Sequence, residues 1–441
     1  MGEASVSSWG NIIRARHTLF RLPGRTAIFP DITPASSILP RGNGRSYGDS
    51  CLNVGGALLD MRALDHFIDF DPEQGLLTCE AGVLLDELLE LTVPRGWFIP
   101  VTPGTRYITI GGAIANDVHG KNHHQAGTFS GHVVRFELLR SDGQRRVCSS
   151  TENTDWFAAT MGGLGLTGVI TWAQLRLRRI AGPLMDVETI RFANLNEFLG
   201  LSAESDSGHE YTVSWIDCLS RGPHLGRGLL QRANHAAVTE TSTPHRARQR
   251  SVPLTPPFSL VNAASLRLFN TAYYHRQQAR ARRSLDHYES FFYPLDGIRH
   301  WNRLYGPRGM FQYQCVIPAE AGAEPVADLL NAIARNGQGS FLAVLKAFGT
   351  PASMGMLSFP RPGLTLALDF PNRGERLEML FRELDAVVEA AGGRLYPAKD
   401  GRMPGRLFRS GYPRWGEFSQ YVDPRISSSF WRRITGDMGI S

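Results

Sequence analysis

The sequence predicts an α+β protein built in two parts, on three observations. Residues 1 to 180 are rich in glycine and in short apolar runs of strand length. After "AGPLMDVETI" the composition changes, and residues 181 to 394 carry longer strand-like runs together with two amphipathic helices. That mixture favours helices packed on a largely antiparallel sheet. The third observation is a glycine motif followed by a strand, where a doubly wound fold would place a helix.

In the first part, strands are read at "SSILP", "ALLDM", "LLTCEAG" and "RFELLRSDG", each a short apolar run bounded by turn residues. Short helices are read at "LLDELLELTVPRG" and "TDWFAATMGG", both closed by glycine. In the second part, strands are read at "YTVSWIDCL", "MFQYQCVIP", "SFLAVLKAFG" and "GLTLALDF". Within "GERLEMLFRELDAVVEAAGG", Leu377, Leu380, Leu384 and Val387 recur at helical spacing, and Gly392 and Gly393 supply the stop. "AEPVADLLNAIARNG" is the second helix. Proline, hydroxyl residues and arginine dominate residues 239–257, which reads as an exposed, mobile loop. The following "FSLVNAASLRLFNTAYYHRQQARARR" is apolar and then basic: a solvated surface helix, or a patch that touches anionic lipid.

A hydrophobic content of 42% with 20% charged residues excludes a disordered chain. No apolar run reaches the roughly 18 residues that a bilayer span needs, and the first residues lack a secretory pattern. The expectation is a cytoplasmic protein with peripheral contact at the inner face of the membrane. Cys51, Cys79, Cys148, Cys218 and Cys315 are scattered and indicate neither a disulfide framework nor a zinc knuckle. The net charge of +6 suits an anionic substrate or lipid headgroup and does not point to nucleic acid. Of the 47 lysines and arginines, Lys121, Lys346 and Lys399 are the three lysines, so 44 are arginine. Codon bias accounts for the arginine excess but not for the lysines that remain. A compact ammonium differs from a planar guanidinium in hydration and geometry, so each lysine is a candidate site residue.

Two loops carry the chemistry. "RGNGRSYGDS", residues 41–50, has three glycines where a hairpin would need one or two; it is either a mobile loop or a backbone that something must approach closely. "TPGTRYITIGGAIANDVHGKNHHQAGTF", residues 102–129, holds five glycines, three histidines and Lys121. Metal ligation by His119, His123 and His124 is disfavoured, because Gly120 and Asn122 oppose a helix presenting His119 and His123 together, and no metal is expected. "GLGLTG", Gly163 to Gly168, fits a dinucleotide fingerprint in spelling only, since "VITWAQLRLRR" after it alternates as a strand. Backbone N–H groups exposed in loops bind pyrophosphate without a helix, and a flat cofactor ring needs backbone free of side chains. A flavin dinucleotide satisfies both requirements.

With "GGLGLTGVI", "FQYQCVIP", "FLAVLKAFG" and "GGRLYPAKDGR", these stretches run in one order over nearly the whole chain. In that order the chain resembles the FAD-dependent oxidoreductases of the vanillyl-alcohol-oxidase type, with PCMH-type FAD binding. The resemblance implies a two-part FAD-binding domain, residues 1–180 completed by 395–441, and a substrate-binding domain over 181–394. It implies that Pro40, Arg41, Gly42, Asn43, Gly44, Arg45, Ser46, Tyr47, Gly48, Asp49 and Ser50 wrap the FAD pyrophosphate. Gly104, Thr109, Ile110, Gly111, Gly112, Asn116, Asp117, Val118 and His119 would line the rest of the cofactor, and Val169, Ile170 and Tyr396 would complete that pocket. Lys399, His119 and Tyr47 would be catalytic, while Lys121, Gln312, Gln314, Lys346 and Phe348 would hold substrate. Some relatives bind flavin covalently through a histidine in the first glycine loop; Arg45 stands there, which implies non-covalent FAD.

Within that family the chain is most similar to the branch that oxidises C2 of a polyprenyl-phosphate-linked ribofuranose to the 2-keto sugar, the first half of an epimerisation toward arabinose-type cell-envelope precursors. A short-chain reductase would be the functional partner. Two alternatives stay open: a soluble alditol or sugar-lactone oxidase of the same fold using oxygen, and a non-catalytic sugar-lipid binder.

Overall fold

In the computed structural model, which describes residues 2–33, 35–238 and 250–436, the apolar runs of the first part form two sheets. Arg14–Arg21, Ala57–Asp60 and Ile38–Arg41 lie parallel, with Gly2–Ser7 antiparallel at one edge. The other sheet is antiparallel, in the order Phe67–Asp71, Leu76–Glu80, Val169–Arg176, Val133–Leu139, Arg145–Ser149. The run after the third glycine motif is thus a central strand, burying Ala173 and Leu175 while Arg176 faces out.

The second part is an eight-stranded antiparallel sheet. Its order is Ala281–His287, Leu184–Phe192, Gly228–His235, Tyr211–Ile216, Ala343–Phe348, Gly363–Pro371, Met310–Pro318, Arg394–Leu395. The fold is α+β, as the sequence predicts. The helices Glu324–Asn336 and Glu375–Ala390 lie against this sheet. The second buries Leu377, Leu380, Leu384 and Val388; Val388 rather than Val387 is the residue turned fully into the core. Gly337 and Gly392 follow the two helices at φ 72 and 66, in the left-handed region that glycine enters without strain.

Two expectations need adjustment. Of the loop read over 239–257, residues 239–249 lie outside the described residues, and Arg250–Ser251 pairs in parallel with Ile298–Arg299. The apolar-then-basic stretch is not one element: the helix Ala263–His275 ends before most of the arginines. Arg282 and Arg283 belong to the edge strand Ala281–His287.

The tail leaves the eight-stranded sheet and returns to the first part. Tyr47 donates its backbone N–H to Ala398, Ile38 donates to Arg425, and Ser427 donates back to Ile38. Arg433 ties Asp49 and Asp400 together, with N···O distances of 2.7 and 2.9 Å. The main apolar core runs across this junction, from Leu58 and Leu164 to Leu345, Leu384 and Phe408.

At the junction Gly48 presses on the tail. A Cβ there would sit 1.7 Å from the Asp400 carbonyl oxygen and 2.6 Å from the Gly401 Cα. Gly416, by contrast, has nothing within 4 Å of its would-be Cβ. Gly48→Ala is therefore expected to lower stability by about 1–3 kcal/mol, seen by calorimetry as a lower Tm, while Gly416→Ala leaves Tm unchanged or raised.

Candidate active site

Glycine lets the two loops meet. A Cβ at Gly42 would sit 2.3 Å from Thr109 Oγ1, and Gly44 takes φ 61 beside the Arg41 guanidinium. Asn43 Nδ2 donates to the Tyr107 carbonyl at 2.8 Å, so the first loop is stitched along the second. Thr109 Oγ1 accepts from Gly112 N at 3.1 Å and opens the short helix Ile110–Ala115. Beneath the loops, Leu164 and Gly165, at φ 58 and 75, bring the third glycine motif to the same space.

Together they enclose one large cavity of about 1060 Å³. That lies at the upper end of the range of roughly 300–1,000 Å³ found for small-molecule and cofactor sites. The first loop from Pro40 to Tyr47, Ser50, Gly104, Thr109, Gly111, Gly112, Asn116, Val118, His119 and Ile170 form its glycine-rich half. Lys121, Gln312, Gln314, Lys346, Tyr396 and Lys399 line the same cavity. All three lysines of the chain therefore face one space.

Six of the residues named from the sequence do not line it. Gly48 and Asp49 serve the junction with the tail, Asp49 through Arg433. Ile110 and Val169 are core residues. Asp117 is buried under the second loop, where it accepts from Ser130 N at 2.9 Å, from Ser358 Oγ at 2.5 Å and from Ser353 Oγ. Phe348 packs its ring edge-on to His119 at 4.8 Å, so it supports the site from behind.

The polar side chains come largely from two strands that flank Gly363–Pro371. Gln312 and Gln314 point one way from Met310–Pro318, and Lys346 projects from Ala343–Phe348. Lys399 Nζ rests 4.2 Å from the centre of the Tyr47 ring, a cation–π contact. Lys346 Nζ is 3.3 Å from His119 Nδ1 and donates to the Gly120 carbonyl at 3.1 Å. Gln314 Nε2 is 3.1 Å from His119 Nε2. Both imidazole nitrogens are thereby engaged. Lys121 donates to the Phe291 carbonyl and lies over that residue's ring.

Three ammonium groups in one enclosed space cannot all keep ordinary acidities. Burial, with the charge of Lys346 next, pushes Lys121 down to about 7. Burial, followed by Lys399, does the same to Lys346, also to about 7. Burial lowers Lys399 too, but the Asp369 carboxylate pulls it back. Burial, then Lys346, His123 and Lys399, holds His119 well below the ordinary imidazole value, so the ring is neutral. Burial raises the Tyr47 phenol, which keeps its proton at neutral pH.

Two contributors escape a reading by motif. Asp369 is 1% exposed, accepts from Gln312 Nε2 at 2.6 Å and leaves Oδ2 without a partner. Its only signal was the alternation of "LTLALDF", which puts a carboxylate on a buried strand. The segment from Pro294 to Trp301 walls the cavity on its far side, and Asp296 pins it by accepting from Thr105 Oγ1 at 2.8 Å and Arg106 N at 2.9 Å. No local pattern announces that contact.

The residues fit a flavin dinucleotide. Gly42 and Gly44 bring the first loop's main chain to the cavity wall, and the buried Ser50 Oγ on that wall has no partner in the protein. Comparison with known proteins agrees: residues 35–149 match the FAD binding domain family. The chain is 36% identical over 412 residues to decaprenylphosphoryl-β-D-ribose oxidase of Mycolicibacterium smegmatis, covering 90% of this chain and 89% of that one. It is 34% identical over 377 residues to an uncharacterised protein in the mprA 5′ region of Streptomyces coelicolor, covering 81% of this chain and all of that one. Cytokinin dehydrogenase 7 of rice is 26% identical over 49% of this chain and 45% of its own. FAD is the cofactor.

Arg45 stacks its guanidinium 4.3 Å from the Trp9 ring, and that side chain offers no nucleophile for a flavin bond. Acid-precipitated protein should therefore release all of its flavin to the supernatant, and the peptide spanning residues 41–50 should carry no added mass; chromophore left in the pellet would contradict this.

Proposed function

The chain belongs to the family of FAD-dependent oxidoreductases that includes decaprenylphosphoryl-β-D-ribose oxidase, and from that membership we propose that it oxidises C2 of a polyprenyl-phosphate-linked ribofuranose to the 2-keto sugar. The observation that carries this reading is the grouping of the chain's three lysines with Gln312 and Gln314 around the one cavity that the glycine loops line. Hydroxyls and a phosphate are what such donors recognise.

Bound FAD supplies a two-electron acceptor for the hydrogen on the carbinol carbon. The protein supplies the polar groups around the hydroxyl. Lys399, lowered by burial but drawn back by the Asp369 charge, sits on Tyr47 and is positioned to stabilise negative charge as the hydroxyl loses its proton. Tyr47 retains its own proton and acts as the platform for that ammonium. The keto sugar then requires a reductase to complete an epimerisation, which supports a short-chain reductase as functional partner.

A lipid-linked substrate also needs a way out of the bilayer. No helix among the described residues is long and apolar enough to cross a membrane. Tyr273 and Arg276, at the end of Ala263–His275, reach the cavity wall, and on the outer side Leu268 is 75% and Phe258 67% exposed. Arg267, Arg276 and Arg282 have no carboxylate partner among the described residues. This face suits an anionic bilayer, apolar groups entering the interface and arginines meeting headgroups.

Two measurements test the reading. Under anaerobic conditions, a polyprenyl-phosphate ribose should bleach the flavin, and Lys399→Ala should retain FAD yet slow bleaching by roughly 100-fold or more; bleaching by free alditols or lactones with rapid peroxide formation would instead identify a soluble sugar oxidase. Co-sedimentation with vesicles should require anionic lipid, weaken with added salt and fall for Leu268→Asp; binding indifferent to all three removes the membrane contact.

A further inference from the structure

The hydrogen bonds around His119 fix the places of protons that no sequence motif shows. Thr365 has a single hydroxyl hydrogen, and it donates this to the Cys315 carbonyl at 2.9 Å. Its oxygen can then only accept, which fixes the Gln314 amide with nitrogen toward Thr365 Oγ1, at 3.4 Å. The same nitrogen faces His119 Nε2 at 3.1 Å, so Nε2 accepts. A neutral imidazole has one donor and one acceptor nitrogen. The hydrogen is therefore on Nδ1, which faces Lys346 Nζ 3.3 Å away beside the Gly120 carbonyl. An ammonium has no lone pair to receive it; an amine does.

We infer that Lys346 is held as a neutral amine by the chain Thr365–Gln314–His119 and is the acceptor of the substrate hydroxyl proton, with His119 a positioning residue whose ring nitrogens are both occupied. The inference rests on the substrate reading only for the identity of the hydroxyl. In the step, the carbinol C–H leaves as hydride to the flavin, the O–H proton forms a bond to Lys346 Nζ, and the C–O bond becomes a carbonyl. The carbon is oxidised, the flavin is reduced and the amine becomes an ammonium. Turning Nζ about its bond to Cε exchanges the long contact from Nδ1–H for the hydroxyl, while another N–H can still reach the Gly120 carbonyl.

The surroundings of the two lysines separate their roles. Lys346 is faced by His119, His123, Lys121 and Lys399, and no carboxylate bonds to it among the described residues. Burial and Lys399 push it down to about 7, consistent with the bonding pattern. Lys399 feels the Asp369 carboxyl, which burial pushes up to about 7 and which bonds only to Gln312, so burial lowers this ammonium less far.

The chain has three lysines, so holoenzyme carrying ¹³Cε-lysine gives three side-chain signals, assignable by Lys→Arg variants. The Lys346 signal should titrate near neutral pH in the unmutated protein. Gln314→Glu, an obligate acceptor toward Nε2, reverses the chain and should raise that midpoint by at least one pH unit. The acid limb of anaerobic flavin reduction should move up with it, because reduction needs the amine and is lost as pH falls through its pKa. Lys346→Arg, cationic at every accessible pH, should bind substrate yet reduce flavin about 100-fold more slowly. A Lys346 midpoint near 10, an unmoved midpoint in Gln314→Glu, or an Arg variant within threefold of the parent rate would each overturn the assignment. If the sugar phosphate never bleaches the unmutated protein, the substrate reading fails while the lysine titration still decides this one.

Discussion

Main chain meeting main chain is the constraint on which the site depends. The first glycine loop meets the main chain of the tail at Gly48 and that of Gly10 at the Tyr47 carbonyl, while Gly42 lies against the Thr109 side chain. None of these contacts has room for a Cβ. The cavity is the space left between strands of backbone that close on one another this tightly, so its shape follows from residues that have no side chain.

The other half of the cavity works by the opposite means. The eight-stranded sheet delivers long polar side chains from the two strands on either side of Gly363–Pro371, and the mostly apolar core behind holds each in place. An enclosed space with several cations and one buried carboxylate cannot treat those cations alike. Asp369 favours one lysine, and the imidazole ring between Gln314 and Lys346 disfavours another. Chemical difference between identical side chains comes from the neighbours alone.

Much of this was legible in the residues. The strand Met310–Pro318 falls on "MFQYQCVIP", since alternation and a terminal proline are local signals. The three lysines stood out because arginine fills nearly every other cationic position, and all three reach the cavity. What failed to show was long-range. That Asp117 anchors serines far along the chain, or that Asp296 pins the cavity wall, depends on pairings across 190 residues or more, which leave no periodic trace. The basic stretch after His275 misled in a smaller way. Its composition suits a helix surface, but pairing with Leu184–Phe192 decides that Ala281–His287 is a strand.

The return of the tail to the first loop bears on how the protein is made. Arg433 and Asp49 are 384 residues apart, yet their bond helps to close the cofactor's cradle. At a translation speed of about 5–20 residues per second, that separation is roughly 20–80 s of synthesis. During this interval the nascent glycine loops hang from the ribosome without their C-terminal clamp. The cradle for the vitamin-derived cofactor is thus completed long after its glycine loops have been synthesised.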